Sequence, residues 1–316
     1  MTRLERMILD LAPFRLLRSR AKKTFPPGFE GLSLYEVSHF FFKEIKNIRL
    51  NERAAAATYN FMMAIPPSLL FLFTLLPYIP LRDVEDTIIN TIRLVPLSRE
   101  VSHSIEVFIT SFMHTERRDL LSFGVLMVLV FASNGMMGLM RSFDKGMHVQ
   151  SPRTGFQRRW TAIKLTVMLI TVGILSIATF IIQSQFINKY ILMVFDNIYI
   201  IKTISLLFLL FILFCAISII YRYGPSLTNK FDFVSAGSIF ATCGISVATT
   251  VFFFLVDNFL NYNKVYGSIG TLIAFMIWLF IIVMILLIGY ELNVSILIGS
   301  IEKEQKEHKV LKTKTK

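Results

Sequence analysis

Charged side chains are scarce in this sequence. They make up 17% of its 316 residues, whereas hydrophobic side chains make up 54% and the mean hydropathy is +0.61. Soluble globular domains carry roughly 25% charged residues, and a chain of this size with so few would not stay in solution. The deficit excludes a soluble globular protein and indicates that lipid is the main solvent.

Cysteines and catalytic motifs are scarce as well. Cys215 and Cys243 lie inside apolar runs and have no CxxC partner, so neither a disulfide framework nor a thiolate metal site is predicted. The five histidines are scattered without metal-binding spacing, and there is no Gly-rich phosphate loop or GxSxG elbow. We therefore expect no catalytic residues, no metal and no cofactor.

The net charge of +12 has two explanations. A basic protein can bind nucleic acid, but here the basic residues lie beside hydrophobic segments rather than along one soluble face. That placement is typical of contact with anionic headgroups on the cytoplasmic side of a membrane. We predict membrane lipids rather than nucleic acid as partners, and an envelope protein as an alternative partner. The predicted headgroup ligands are Lys43, Lys46, Arg158 and Arg159.

Six long stretches contain no Asp, Glu, Lys or Arg. Each is close to the ~20 residues that a helix needs to cross ~30 Å of hydrocarbon, and a helix satisfies its own backbone there. The sequence therefore predicts an all-α, six-transmembrane helix bundle. Its spans are expected at about 54–79, 120–140, 165–187, 203–221, 234–256 and 268–290.

Basic residues are distributed unevenly over the two sides of such a bundle. If the amino terminus is cytoplasmic, the inner regions hold 25 of the 33 Lys and Arg residues and the outer loops hold 8. Loops rich in Lys and Arg stay in the cytoplasm. The sequence thus predicts a multi-pass protein of the bacterial inner membrane with both termini cytoplasmic. It would have a cytoplasmic region at 1–53, a membrane domain at 54–300 and a basic, solvated and mobile tail at 301–316.

Two regions outside the spans have helical periodicity. Ser33 and Glu36 have the spacing of a capping box, which would begin an amphipathic helix. Its apolar positions are Leu34, Val37, Phe41, Ile45 and Ile48. This helix either lies on the cytoplasmic leaflet or packs on the ends of the spans. The outer loop at 82–118 has two apolar stripes divided by Pro96, which predict two short external helices.

Two consecutive prolines, Pro66 and Pro67, lie at the middle of the first span. They remove the hydrogen bonds that the carbonyls of Met62 and Met63 normally accept, which predicts a kink. Irregular backbone at that depth is tolerated only inside protein or beside a watered cavity. The prolines are therefore either a packing kink or part of a substrate cavity.

Polar residues within the spans are few, so their depth is informative. Asn60, Asn134 and Glu291 fall near one level at the predicted cytoplasmic end, and Asn293 follows Glu291 closely. Together with the two prolines, these four residues are the candidates for lining a substrate cavity.

Glu291 ends a long apolar run without a basic neighbour in sequence, so it requires a cationic partner. Arginines that end other spans at the same face can supply it, with Arg141 and Arg222 favoured over Arg53. Two roles stay open for Glu291. It either forms a structural ion pair at the interface or serves a ligand or a proton.

Several longer motifs give a resemblance to a known family. They are Tyr221-Arg222-Tyr223-Gly224-Pro225, Phe231-Asp232-Phe233, Asn263-Lys264-Val265-Tyr266-Gly267-Ser268-Ile269-Gly270, Trp278 and Gly289-Tyr290-Glu291-Leu292-Asn293. Over about residues 30–300 the chain resembles the YihY/BrkB family of bacterial inner-membrane proteins, once labelled ribonuclease BN. Tyr290 departs from the alanine common in the family, and Asp144 stands where the family often has asparagine.

The resemblance implies six spans and a link to the cell envelope, with no established reaction and with proposed roles in transport, including lipid-related ones. Combined with the polar level and the prolines, it favours a non-enzymatic protein that moves or presents an amphiphile. The alternative is a scaffold that holds an envelope partner through its external helices. A membrane-embedded enzyme is the third hypothesis, but ribonuclease chemistry needs clustered His and Asp ligands that the sequence lacks.

The topology predicts which positions an impermeant thiol reagent reaches on intact cells. With Cys215 and Cys243 replaced by serine, a Ser102→Cys variant is expected to be labelled and a Glu302→Cys variant is not, because the outer loop and the tail lie on opposite sides of the membrane. Labelling before and after permeabilisation checks this. The topology is overturned if intact cells label only the Glu302→Cys variant.

Overall fold

A computed structural model describes residues 19–26, 28–47, 49–75, 103, 106–107, 110, 123–146, 153–186, 198–259 and 268–314. Within these ranges every regular element is an α-helix, which confirms the all-α class. The helices with defined bounds are α1 (Leu34–Asn47), α2 (Leu50–Leu75), α3 (Phe123–Gly146), α4 (Gly155–Phe186), α5 (Ile198–Tyr223), α6 (Ala236–Phe259) and α7 (Ser268–Lys314).

Four of these helices are long and apolar enough to cross a membrane over their described residues. The qualifying segments are Gly155–Ser176, Leu206–Tyr223, Ala236–Val256 and Leu272–Gln305. α2 and α3 occupy the places of the first two predicted spans but are not among these four segments. The fold is therefore that of a multi-pass helical membrane protein, and the count of six spans stays a prediction.

α2 and α3 run antiparallel, so the start of α2 and the end of α3, both predicted to be cytoplasmic, meet at one level. Phe61 of α2 packs on Gly135 of α3, and Asn60, one residue nearer the start of α2, packs on Gly138, nearer the end of α3. The core of the described residues is concentrated at this end. Its largest fully buried side chains are Tyr221, Tyr290, Phe143, Leu139 and Met140.

Glycine lets α6 and α7 approach closely at the same end. A Cβ atom on Gly237 would overlap the carbonyl oxygen of Gly289 and the side chain of Asn293. Farther along the contact, Gly244 faces Ile285 at 3.0 Å from the place of its missing Cβ. Without a hydrophobic force between helices in lipid, such close contacts are a main source of association.

The predicted capping box begins α1. Ser33 Oγ accepts a hydrogen bond from the Glu36 N–H at 3.2 Å, and the Glu36 carboxylate accepts one from the Ser33 N–H at 2.8 Å. Val37 is 1% exposed and packs with Leu32 against Ile296 of α7. Of the two placements that the sequence left open, the first turns of α1 adopt the one in which the helix packs on the end of a span.

α7 continues well beyond the predicted sixth span. It ends at Lys314, so a helix occupies most of the segment at 301–316 that was expected to be a mobile tail. The tail is rich in Lys and Glu, which are good helix formers, and it extends an existing helix without a new nucleation step. Lys303 Nζ also donates a hydrogen bond to the Gly31 carbonyl at 3.0 Å, which ties the extension to the segment before α1.

The structure describes the two prolines of the first predicted span but little of the predicted outer loop. α2 stays helical through Pro66 and Pro67, of which Pro66 is exposed and Pro67 half-buried. The prolines therefore do not interrupt the helix. The predicted external helices at 82–118 lie outside the described residues, apart from helical positions at His103, Glu106, Val107 and Thr110.

The contact between α6 and α7 predicts a difference between two glycine variants. Gly237→Ala is expected to lower thermal stability, because overpacking of this kind costs about 1–3 kcal/mol. Gly173→Ala is the matched control, since nothing lies within 4 Å of its added methyl group and alanine is the better helix former. Thermal melting of the purified variants in detergent checks this. Equal melting temperatures for the two variants would contradict the close contact.

Candidate functional site

Arg53 and Glu291 form a buried ion pair in the core of this bundle end. Arg53 Nη1 and Glu291 Oε1 are 2.7 Å apart, and the two side chains are 6% and 0% exposed. Glu291 thus has the cationic partner that its place beside an apolar run requires. The distance is that of an ion pair, but neither Nη1 nor Nη2 of Arg53 has hydrogen-bond geometry to a described acceptor.

α3 fixes the position of the Arg53 side chain. Arg53 Nε donates to the Ser142 carbonyl at 2.9 Å, and Ser142 Oγ donates back to the Arg53 carbonyl at 3.1 Å. These two bonds can form because small residues let the helices approach: Ala57 is fully buried and Gly138 packs directly on Asn60. Arg53 is therefore held through Nε, which leaves its two amino groups to face anions.

The two arginines favoured as partners of Glu291 do not pair with it. Arg141 is exposed, and Arg222 donates to the Phe231 carbonyl at 3.3 Å. All the candidate arginines end spans at one face, but the direction in which each side chain leaves its helix decides the pairing. The prediction of Arg141 or Arg222 is wrong for that reason, and Arg53 is the partner.

A cavity of about 480 Å³ opens beside the ion pair, between α2, α3 and α4. Its lining residues are Arg53, Ala56, Asn60, Gly138, Arg141, Ser142, Asp144, Lys145 and Arg158. Four of these side chains are cationic and one is a carboxylate, so the cavity is electropositive. Of the residues that the sequence marked as cavity candidates, Asn60 lines this cavity, whereas Pro66, Pro67, Asn134 and Glu291 do not.

Asp144 organises one wall of this cavity. Its Oδ2 lies 3.3 Å from Arg158 Nη2, and its Oδ1 accepts a hydrogen bond from the Ser226 N–H at 3.2 Å. The carboxylate therefore offsets one cavity cation and ties α3 to the turn after α5. Arg141 and Lys145 form no ion pair with any residue in the described part of the chain. Their charges are available to a ligand.

Comparison with known families shows which proteins share this sequence. Residues 41–312 match the family described as Virulence factor BrkB, which is most of the chain. The chain belongs to the BrkB family. The resemblance that the sequence motifs suggested is thereby confirmed.

Individual relatives of this BrkB protein are membrane or ribonuclease-like proteins by name. A putative ribonuclease-like protein YfkH from Bacillus subtilis is 29% identical over 248 residues, covering 76% of this chain and 88% of the relative. A UPF0761 membrane protein from Pseudomonas aeruginosa is 25% identical over 239 residues, covering 75% of this chain and 56% of the relative. The UPF0761 membrane protein NTHI0384 from Haemophilus influenzae is 22% identical over 271 residues, covering 83% and 95%. No solved structure matches the chain.

A motif that carried the BrkB resemblance closes the turn after α5. Tyr221 Oη donates to a backbone carbonyl of α7 at 2.7 Å. Arg153 donates to the carbonyls of Gly224 and Pro225 at 2.7 and 3.0 Å. Burial lowers the pKa of the Arg153 guanidinium, and the nearby Asp144 carboxylate opposes that shift. The motif thus fixes the end of α5 beside the cavity.

Asn293, a predicted cavity residue, caps a helix. Its Oδ1 accepts from the Gly237 N–H at 2.7 Å, and its Nδ2 donates to Ser235 Oγ at 2.9 Å. The first N–H groups of a helix have no partner within it, so this side chain of α7 completes the start of α6. Asn293 also lines a second cavity of about 280 Å³, which reaches Gly28 and Glu304.

The predicted headgroup ligands are engaged within the protein where their side chains are described. Arg159 Nη1 donates to Asn134 Oδ1 at 2.8 Å and to a backbone carbonyl of α3 at 3.2 Å. Arg158 pairs with Asp144 and lines the cavity. The side chains of Lys43 and Lys46 lie outside the described residues.

Sequence reasoning underrated Arg53 and did not select Asp144 or Lys145. A signal was present in helical spacing. Arg53 and Asn60 are seven positions apart, and Arg141 and Lys145 are four apart, so each pair shares one helix face. A prediction that compared helix faces as well as depth along the helices would have placed these residues around one cavity.

The ion pair predicts a large effect for Glu291→Gln, which leaves Arg53 buried without its counterion. Loss of one partner of a buried pair costs about 3–5 kcal/mol, whereas an exposed pair contributes about 0–1 kcal/mol. Glu52→Gln is the matched control, because Glu52 pairs with Arg49 at 3.2 Å on the exposed surface. Thermal melting in detergent is expected to show a marked loss for Glu291→Gln alone. The same melting temperature in both variants would refute a stabilising buried pair.

Proposed function

We propose that this BrkB protein is a non-enzymatic protein of the bacterial inner membrane that moves or presents a lipid with an anionic headgroup. The observation that carries the proposal is the electropositive cavity of about 480 Å³ at the bundle end predicted to be cytoplasmic. Small-molecule sites have volumes of about 300–1,000 Å³, so a headgroup fits. Arg and Lys favour phosphate oxygens as partners, and Arg can bind them through two N–H groups at once.

An exposed apolar stripe leads away from the cavity along α2. It begins at Ala56, which lines the cavity, and continues through Tyr59 and Met63 to Pro66 at helical spacing. A lipid can place its headgroup in the cavity while its acyl chains lie along this stripe. The combination of a charged cavity and an apolar stripe supports an amphiphile rather than a water-soluble anion, and it gives the exposed Pro66 a place in the site.

The cavity offers charge for binding rather than groups for chemistry. Its carboxylate, Asp144, is held by Arg158 and by a backbone N–H. Within the described ranges, no group of three or more His, Cys, Asp or Glu side chains is placed to hold a metal ion. The ribonuclease-like name belongs to the Bacillus subtilis relative. A binding function fits the side chains of this chain better.

Removing the two cavity cations that lack ion-pair partners is expected to weaken binding of anionic lipid. Each cation near an anionic surface contributes about 1 kcal/mol, so the Arg141→Gln/Lys145→Gln variant should bind about thirtyfold more weakly. Titration of the protein in detergent with phosphatidylglycerol, followed by native mass spectrometry, measures this. Binding of zwitterionic phosphatidylcholine is expected to stay unchanged.

The matched control removes the same charge from outside the cavity. Arg20 and Lys23 are exposed and line neither cavity, so Arg20→Gln/Lys23→Gln should bind phosphatidylglycerol like the unmodified protein. Equal losses in both double variants would mean that general surface charge, and not the cavity, binds the lipid. If neither variant lost affinity, the lipid role would be refuted and the scaffold hypothesis would be favoured.

A further inference from the structure

Arg53 has more hydrogen-bonding capacity than its described neighbours use. A guanidinium carries five N–H donors. Nε donates to Ser142, and Nη1 lies 2.7 Å from Glu291 Oε1 but is poorly aligned with it, whereas Nη2 makes no hydrogen bond within the described part of the chain. Buried charged donors are normally satisfied, because their desolvation is otherwise uncompensated. Arg53 is therefore suited to bind an oxyanion that offers several acceptor oxygens.

The charges around the cavity indicate how much charge such an anion carries. Glu291 offsets Arg53, and Asp144 offsets Arg158. The cavity cations without an ion-pair partner among the described residues are Arg141 and Lys145. A dianion neutralises these two positive charges, whereas a single negative charge or a zwitterion does not. Headgroup selectivity can therefore arise from charge alone.

We propose that the cavity binds a phosphate-monoester dianion, with Arg53 as its inner ligand and Glu291 as a built-in competitor for that arginine. The inference deepens the function proposed above and rests on it. A phosphate oxygen that accepts hydrogen bonds from Arg53 draws the guanidinium away from the Glu291 carboxylate. Arg53 stays attached to α3 through Nε, so the ligand weakens the link to α7 without releasing the arginine.

Binding takes place in two stages because the cations differ in exposure. Arg141 and Lys145 are exposed, whereas the amino groups of Arg53 are covered from solvent. An incoming phosphate meets the outer cations first and reaches Arg53 only as it loses water. The attraction between an anion and Arg53 strengthens as the local dielectric constant falls. The second stage, in which the anion reaches Arg53, therefore discriminates between anions of different charge. A dianion can hold the outer cations and compete with Glu291 together, which a monoanion cannot do.

The experiment measures affinity for three probes at pH 8, where a phosphate monoester is dianionic because its second pKa is about 6. The full-length protein in phosphatidylcholine nanodiscs is titrated with phosphatidic acid, phosphatidylglycerol and inorganic phosphate. Phosphatidic acid carries the dianion on a lipid, phosphatidylglycerol carries one charge, and inorganic phosphate carries the dianion without a lipid. The unmodified protein is expected to bind phosphatidic acid about tenfold more tightly than phosphatidylglycerol.

The variants separate competition from simple structural support. Glu291→Gln is expected to bind phosphatidic acid about tenfold more tightly than the unmodified protein, because the competitor has lost its charge, and Arg53→Gln about tenfold more weakly. Arg53→Gln/Glu291→Gln should match Arg53→Gln, because the proposed competition is for Arg53. Glu52→Gln, whose carboxylate pairs with exposed Arg49, should leave the affinity unchanged. A purely structural Glu291 would not yield tighter binding on neutralisation.

Three results decide the inference. A folded Glu291→Gln protein with unchanged or weaker affinity for phosphatidic acid overturns the competition, while the lipid function survives if the unmodified protein still binds anionic lipid. If Glu291→Gln does not fold, Glu291→Asp shortens the carboxylate arm and should raise the affinity in the same direction, and no rise overturns the competition. Inorganic phosphate that binds at least as tightly as phosphatidic acid, with the same dependence on the variants, supports the competition but refutes a lipid as its ligand.

Discussion

The arrangement of the helix ends depends on the buried ion pair between Arg53 and Glu291. The pair joins the first turn of α2 to α7, and the bonds between Arg53 and Ser142 add α3 to the same junction. A buried charge that loses its partner costs several kcal/mol, so a shift of any of these helices by one turn would be heavily penalised. The pair therefore fixes the relative heights of three helices that lie far apart in sequence.

Three other polar side chains at this end hold one element against another through hydrogen bonds. Asn293 of α7 completes the start of α6, and Arg159 of α4 binds Asn134 of α3. Arg153 binds the carbonyls of the turn that follows α5. In a medium where apolar contacts between helices gain little over contacts with lipid, such bonds and close glycine contacts specify the packing. Satisfied groups of this kind are explained by the fold alone.

Sequence spacing predicted depth along the helices better than direction around them. The charge-free stretches located the helices, and the capping box of Ser33 and Glu36 began α1 as predicted. The need of Glu291 for a cation was also clear from its place beside an apolar run. Its partner was not, because span-ending arginines share a depth and differ only in the direction of the side chain. The helical extension of α7 was missed because a polar stretch without an apolar stripe can still continue a helix that packing has already nucleated.

The two roles that the sequence left open for Glu291 are compatible. The Asn293 side chain already makes two hydrogen bonds within the protein. It would have to break them to bind a ligand, so it is poorly suited to ligand binding. Arg53 differs, because Nε secures it to α3 while its amino groups lack aligned acceptors among the described residues. A residue that is held through one nitrogen and incompletely satisfied at the others can stabilise the fold through one anion and exchange it for another while it stays attached to its helix neighbour. Local departures from full satisfaction tend to occur at functional sites, where stability is sacrificed for binding. The same ion pair can therefore hold the bundle end together and select ligands by charge, because a ligand must attract Arg53 more strongly than the Glu291 carboxylate does.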